Sequence, residues 1–199
     1  LLIFDSSVTI INRSKNGRST KTFISEGIWK SIIDEASEND YIFIQFGHND
    51  ESKEKKERYA SQDTFRMNLK RFINEAKDKK AIPVLLTSVS RRRFDSSGIA
   101  LETHREYAAY TREVALAEKV ILTDLDTKSR KLYQQFGKEN SKLLFLQLQP
   151  GEHPNYPDGK EDNTHFNELG TRLIAQIVLA ALKEQDIELS KRIIIPVKK

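Results

Sequence analysis

The chain has 199 residues, with 33 Lys and Arg against 29 Asp and Glu and a formal net charge of +4. Its 38% of hydrophobic residues can fill one domain-sized core, while 31% charged residues dictate a densely charged surface. The absence of cysteine excludes disulfides, thiolate metal sites and a cysteine nucleophile; the near-balance of charge argues against a nucleic-acid partner, and no run approaches the ~20 apolar residues of a membrane span.

Leu1–Phe4 is apolar but too short for a signal peptide and lacks a basic flank. Val8–Asn12 reads as a strand, left through Gly17-Arg18-Ser19-Thr20, and Glu26–Ala36 as a helix. Tyr41–Phe46 is an apolar strand that runs into Gly47-His48-Asn49-Asp50, and Lys53–Arg58 is a charge run read as a solvated loop. The stretch Tyr59–Lys79 carries Phe65, Leu69, Phe72, Ile73 and Ala76 at helical spacing. Ile82–Val89 is a third strand, followed by Arg91-Arg92-Arg93-Phe94; Glu102–Glu118 is helical, Val120–Leu125 a strand and Ser129–Phe136 a helix. Gln147–Glu161, with three prolines and two glycines, reads as a surface loop, either one wall of a substrate cleft or packing filler. It leads into Asp162-Asn163-Thr164-His165 and a last amphipathic helix, Asn167–Gln185.

Strands apolar at nearly every position are buried on both faces. Their alternation with helices predicts a three-layer α/β/α doubly wound parallel sheet forming one domain over residues 1–199. In such sheets ligands bind beyond the carboxyl ends of the strands, which would bring the Gly17, Asn49 and Arg91 turns and the Asp162–His165 segment to one rim.

The chemistry at that rim is half of a serine hydrolase. Asp162 and His165, expected one helical turn apart, let the carboxylate accept from one ring nitrogen and leave the other free for a proton. Asn49 offers a side-chain amide where an oxyanion needs a donor. Blander roles exist for each: Gly17 as a turn residue of positive φ, Asn49 as a turn cap, His48 as a group that orients Asn49 or packs under the rim, Asp162 as a helix N-cap (with Asn163 or Thr164 the better cap), and His165 as an ordinary surface histidine. Only the functional reading explains their common edge. A metallohydrolase built from His48, His153 and His165 with Asp50 or Asp162 matches no standard zinc spacing.

Gly17-Arg18-Ser19-Thr20, Gln45-Phe46-Gly47-His48-Asn49-Asp50 and Asp162-x-x-His165-Phe166 resemble consecutive blocks of the SGNH (GDSL-type) hydrolases, a flavodoxin-like fold. With Asn12, Thr22-Phe23, Glu26-Gly27-x-Trp29, Pro83-Val84 and Arg91-Arg92-x-Phe94, the chain is most similar to the rhamnogalacturonan acetylesterase branch. The resemblance implies a general base, His165, an orienting carboxylate, Asp162, and oxyanion donors from Asn49 Nδ2 and the Gly17 N–H. It implies no cofactor or metal. The implied partner is an acetylated acidic polysaccharide or oligosaccharide, with Arg91, Arg92 and His48 on the substrate side. Acetylxylan or a small ester is the alternative substrate, and a polysaccharide-binding remnant without catalysis the rival class.

The family's Gly-Asp-Ser block is not matched. Asp5-Ser6-Ser7 invites that identification, but only ten residues separate Ser6 from Gly17, and the predicted Val8–Asn12 strand fills half of them. A parallel crossover needs a dozen or more. The expectation is therefore that Leu1–Ser7 ends a crossover, that the nucleophile strand lies upstream of residue 1, and that the fold as given lacks its first strand. The whole protein would be secreted or periplasmic, with the cytoplasm as the alternative; the oligomeric state stays open.

Overall fold

Three strands, β1 (Tyr41–Gln45), β2 (Ile82–Leu86) and β3 (Ile121–Thr123), form a parallel sheet in the order β1-β2-β3. The structure is a computed structural model and describes residues 4–194. Two short helices, α1 (Thr20–Ser25) and α2 (Ile28–Glu35), precede the sheet, and α3 (Gln62–Asp78) and α4 (Arg105–Glu118) are its crossovers. After β3 come α5 (Leu125–Asn140), the antiparallel pair β4 (Phe145–Leu148) and β5 (Lys160–Phe166), and α6 (Glu168–Glu184).

Alternation along the strands sorts the core. Ile44 and Leu85 face α1–α4 and join Phe23, Trp29, Tyr107 and the buried stripe of α3. That stripe is the predicted one: Phe65, Leu69, Phe72, Ile73 and Ala76 are all buried, and each large member stabilises the fold by about 1.5–3 kcal/mol. The helix begins at Gln62 rather than Tyr59 because the Ser61 side chain accepts the Thr64 N–H and caps it there. Val84 and Leu86 point to the opposite face and are also buried. On that side α6 packs against β3 and α5. Among the described residues no helix is long and apolar enough to cross a membrane.

Two expectations are corrected. Val8–Asn12 is not a strand. A strand exists only through a ladder partner, and among the described residues none pairs with this segment or with the outer edge of β1. Ile10 and Ile11 are consequently 70% and 65% exposed, and Phe43 on β1 is 42% exposed. The second correction concerns Gln147–Glu161 and the segment after it. Both ends of the supposed loop are strand, and Asp162–His165 lies inside β5, not at the start of a helix. Helix α6 starts only at Glu168, capped by Asn167, whose side chain accepts the Gly170 N–H.

The register of the β4–β5 pair carries the site. Phe145 stands opposite Phe166 and Gln147 opposite Glu161. Between these pairs a single residue of β4, Leu146, is matched by four of β5, and Asp162–His165 is thrown out as a bulge. Helix α6 is docked beneath it backbone to backbone: the Asn167 N–H donates to Leu144 O at 3.1 Å, and a Cβ on Gly170 would fall 2.0 Å from that same oxygen.

Phe4 forms an isolated antiparallel bridge with Ile193, and the Asp5 N–H donates to Arg192 O at 2.9 Å. The Leu189 N–H in turn donates to the hydroxyl of Tyr41, the first residue of β1. Ser6 and Ser7 therefore sit by the amino edge of the sheet, opposite the rim to which Asn49 belongs. Residues 1–3 of the predicted crossover end lie outside the described residues.

Candidate active site

The bulge does what a helical turn was expected to do. Asp162 Oδ1 accepts the backbone N–H groups of Thr164 at 2.7 Å and His165 at 2.9 Å, and Oδ2 meets His165 Nδ1 at 2.8 Å. Partial burial opposes the Asp162 charge, but the hydrogen bonds from the His165 backbone and ring and from Thr164 outweigh it and hold the carboxyl below its ordinary range. An ionised acceptor makes Nδ1 the protonated nitrogen of the neutral ring, so Nε2 presents its lone pair. Nε2 has no partner among the described residues, and the ring is largely exposed.

Arg92 braces this bulge. Its N–H donates to Asn163 O at 2.8 Å, Nη1 to Asn163 Oδ1 at 2.8 Å and Nε to Ser141 Oγ at 2.9 Å, with Nη2 on Lys138 O. The Lys138 carbonyl is free to accept because Gly137, at φ 75°, breaks α5 just before it. Three of the five guanidinium N–H groups of Arg92 are thus engaged inside the protein, which makes bracing the bulge its visible role. Asn163 is likewise a bracket for Arg92 rather than a helix cap.

On the other side of the rim, Gly17 adopts φ +73°, a conformation that L side chains rarely hold. Its N–H has no acceptor among the described residues. Ser19 caps α1 in a reciprocal capping box with Thr22. Thr20 donates to Asp50 Oδ1 through its N–H at 2.9 Å and through its hydroxyl. The Gly47 N–H donates to Asp50 Oδ2 at 3.2 Å. Burial lifts the Asp50 carboxyl to about 6, against the hydrogen bonds from Thr20 and Gly47. Asp50 thereby joins the Gly17 turn to the Asn49 turn. Asn49 Nδ2 donates to Arg18 O at 3.0 Å, and Arg58 Nη1 donates to Asn49 Oδ1 at 2.9 Å.

Arg91 joins the two halves. One of its terminal nitrogens lies 3.4 Å from Thr164 Oγ1 in the bulge and the other 3.4 Å from Glu51 Oε1, two residues after Asn49. Glu51 also meets Nδ1 of the fully buried His104 at 2.9 Å, and the His104 ring packs against His48 with centroids 3.9 Å apart. Burial, with His104 and Arg91 adding repulsion, pushes His48 down to about 3, so it is neutral at physiological pH. It packs against His104 beneath the rim and stays half-buried. Asp162, His165, Asn49 and Gly17 share one edge; Ser6 and His153 do not, the latter lying in the β4–β5 loop with Nδ1 accepting the Asn155 N–H. Among the described residues no three His, Asp or Glu side chains group as a metal site. The reading of sequence missed Arg58, Glu51 and His104. Arg58 was hidden in a charge run, and the other two carry no spacing signal.

Residues 4–173 match the model of the GDSL-like Lipase/Acylhydrolase family. The chain belongs to that family. Within this GDSL-like group it is 40% identical over 192 residues to the rhamnogalacturonan acetylesterase RhgT of Bacillus subtilis, covering 96% of this chain and 82% of that protein. It is 35% identical over 188 residues to the probable rhamnogalacturonan acetylesterase YesY of the same organism, covering 94% and 82%. The solved structure of Bacillus subtilis YxiM superposes with a TM-score of 0.78 at 26% identity over 91% of this chain. The chain spans about half of that solved chain, 47%. The GDSL-like fold, an α/β fold with a parallel sheet, is thus established from both sequence and structure.

Proposed function

We propose that this chain carries the base and oxyanion side of a carbohydrate acetylesterase that removes acetyl groups from rhamnogalacturonan by a serine-hydrolase mechanism. The observation that carries the reading is the Asp162–His165 pair, held on a bulge and joined through Arg91 to the turn that presents Asn49. The two acetylesterase relatives support the substrate class.

In the reaction a serine attacks the acetyl carbonyl and passes its proton to His165 Nε2. The developing oxyanion is met by the Gly17 N–H and Asn49 Nδ2. His165 then protonates the leaving sugar oxygen, water attacks the acyl-serine with His165 again as base, and acetate departs. Asp162 stays ionised throughout and steadies the imidazolium. The serine belongs to a strand that pairs with the outer edge of β1 and orders Val8–Asn12 beside it; that edge has no partner among the described residues, and the exposed Phe43, Ile10 and Ile11 add support. Arg91 reaches the bulge beside His165 with donors to spare. Its side chain is 40% exposed and, among the described residues, held by two long contacts, which suits a galacturonate carboxylate. A plant-wall polymer as substrate fits a secreted or periplasmic protein.

The test is acetate release. Residues 1–199 alone should release little or none from acetylated rhamnogalacturonan, whereas the catalytically complete protein, with its nucleophile strand, should release it and lose the activity on His165→Ala. Brisk release by residues 1–199 that Ser6→Ala abolishes would overturn the assignment of the nucleophile. Equal release from acetylated xylan would overturn the pectin assignment, and oligosaccharide binding without turnover in the complete protein would favour a binding module.

A further inference from the structure

Asn49 can serve an oxyanion only if its nitrogen faces the substrate. The two ends of an amide are nearly equal in size, and a flip would present a repelling oxygen. Two contacts break that symmetry. The Arg18 carbonyl can only accept and takes an Nδ2 hydrogen at 3.0 Å; the Arg58 guanidinium can only donate and gives Nη1–H to Oδ1 at 2.9 Å. The amide nitrogen carries two hydrogens, so one remains for a substrate oxygen.

Arg58 is delivered by a closed excursion of the chain. Ala60 N–H donates to Asp50 O at 3.1 Å and shuts its neck, and Lys21 Nζ holds the Lys56 carbonyl at 2.9 Å. The same Nη1 lies 3.9 Å from where a Cβ on Gly17 would stand, which puts the guanidinium beside both oxyanion donors.

We infer that Arg58 is a positioning residue: it locks Asn49 in its donor orientation and polarises the amide so that the remaining Nδ2–H binds the developing oxyanion more tightly. A cationic donor on the amide oxygen draws electron density from nitrogen, and linked hydrogen bonds strengthen one another by roughly 10–30% each. The inference rests on the esterase reading of this site.

The experiment is a double-mutant cycle in the catalytically complete protein with a neutral acetyl ester, joined to NMR of the Asn49 side-chain amide. Removing an oxyanion donor costs ~10²–10³ in kcat, so Arg58→Ala, acting through that donor, should lower kcat by about 10-fold with KM nearly unchanged. Arg58→Met, which keeps the aliphatic stem, should match it, and Arg58→Lys should recover part of the loss. Added to Asn49→Ala, Arg58→Ala should cost nothing further. Equal losses in both backgrounds, a KM increase confined to acidic substrates, or unchanged kcat with a lower Tm would each overturn the inference. In the NMR spectrum Arg58→Ala should shift the Asn49 Nδ2 resonances and speed their interchange. An unmoved pair would also overturn it. That signal requires no turnover, so a wild-type protein that hydrolyses no acetyl ester would sink the esterase reading while the amide measurement still decided the locking of Asn49.

Discussion

Replacing Arg92 by alanine separates a brace from a substrate contact. Its guanidinium donates to Ser141 Oγ, Asn163 Oδ1 and Lys138 O, and Ser141 is fully buried. Hydrogen bonds with a charged partner contribute about 1.5–3 kcal/mol each, and at this partly exposed site water recovers some of that. A net loss of about 2–4 kcal/mol follows, which for a domain of this size is a Tm lower by about 5–15 °C. Thermal unfolding followed by far-UV circular dichroism measures it directly. In the catalytically complete protein Arg92→Ala should depress kcat on acetylated rhamnogalacturonan and on p-nitrophenyl acetate alike, because the bulge that aims His165 loses its bracket. Arg91→Ala should instead raise KM for the polymer alone, an effect mimicked by added salt. A Tm within about 2 °C of wild type, with a KM defect restricted to the acidic polymer, would refute the bracing argument for Arg92.

Three further outcomes are expected. His165→Ala should abolish turnover, while Asn49→Ala lowers kcat by ~10²–10³ with little change in KM, as steady-state kinetics on a neutral ester will show. Gly170→Ala should destabilise the fold by about 3 kcal/mol or more in urea unfolding, since the new methyl meets the Leu144 carbonyl and no flexible side chain can yield. The third concerns pH. His48, depressed to about 3, contributes stability above its ordinary 6.5 that is lost as pH falls toward 3; Asp50, raised to about 6, contributes stability below its ordinary 3.8 that is lost as pH rises through 6. Between about pH 4 and 6 the two slopes, each about 1.4 kcal/mol per pH unit, oppose one another. Urea unfolding of the wild type should be nearly flat there, His48→Gln should give stability falling with pH, and Asp50→Asn stability rising with it. A steep wild-type profile would contradict the pairing.

The sequence was most legible where pattern is local. The α3 stripe, the apolar β1 and β2, and the Asp-x-x-His spacing each depend on residues a few positions apart. What escaped depends on partners far along the chain. Lys160–His165 has no apolar alternation, so nothing local marks it as a strand; its pairing comes from Phe145–Leu148. Val8–Asn12 errs the other way, with strand-forming residues but no ladder among the described residues. Arg58 looked like one more solvated cation until the neck at Asp50 and Ala60 folded it onto Asn49. Arg91 and Arg92 are adjacent in sequence, yet only geometry tells the loosely held group from the one that braces the bulge.

The division of the molecule into a three-stranded sheet and a separate two-stranded ribbon sets an order of failure on heating. Asn49 is fixed to the first and His165 to the second, and among the described residues no ladder hydrogen bond runs from one to the other. Their alignment depends instead on Arg92, which follows β2 and brackets the bulge, and on the packing of α5 and α6. Such an interface can slip by an ångström while each ladder stays whole, and a proton relay tolerates no such slip. Inactivation should therefore precede loss of secondary structure, and a ligand that bridges the sheet and the ribbon should raise the inactivation temperature more than the melting temperature.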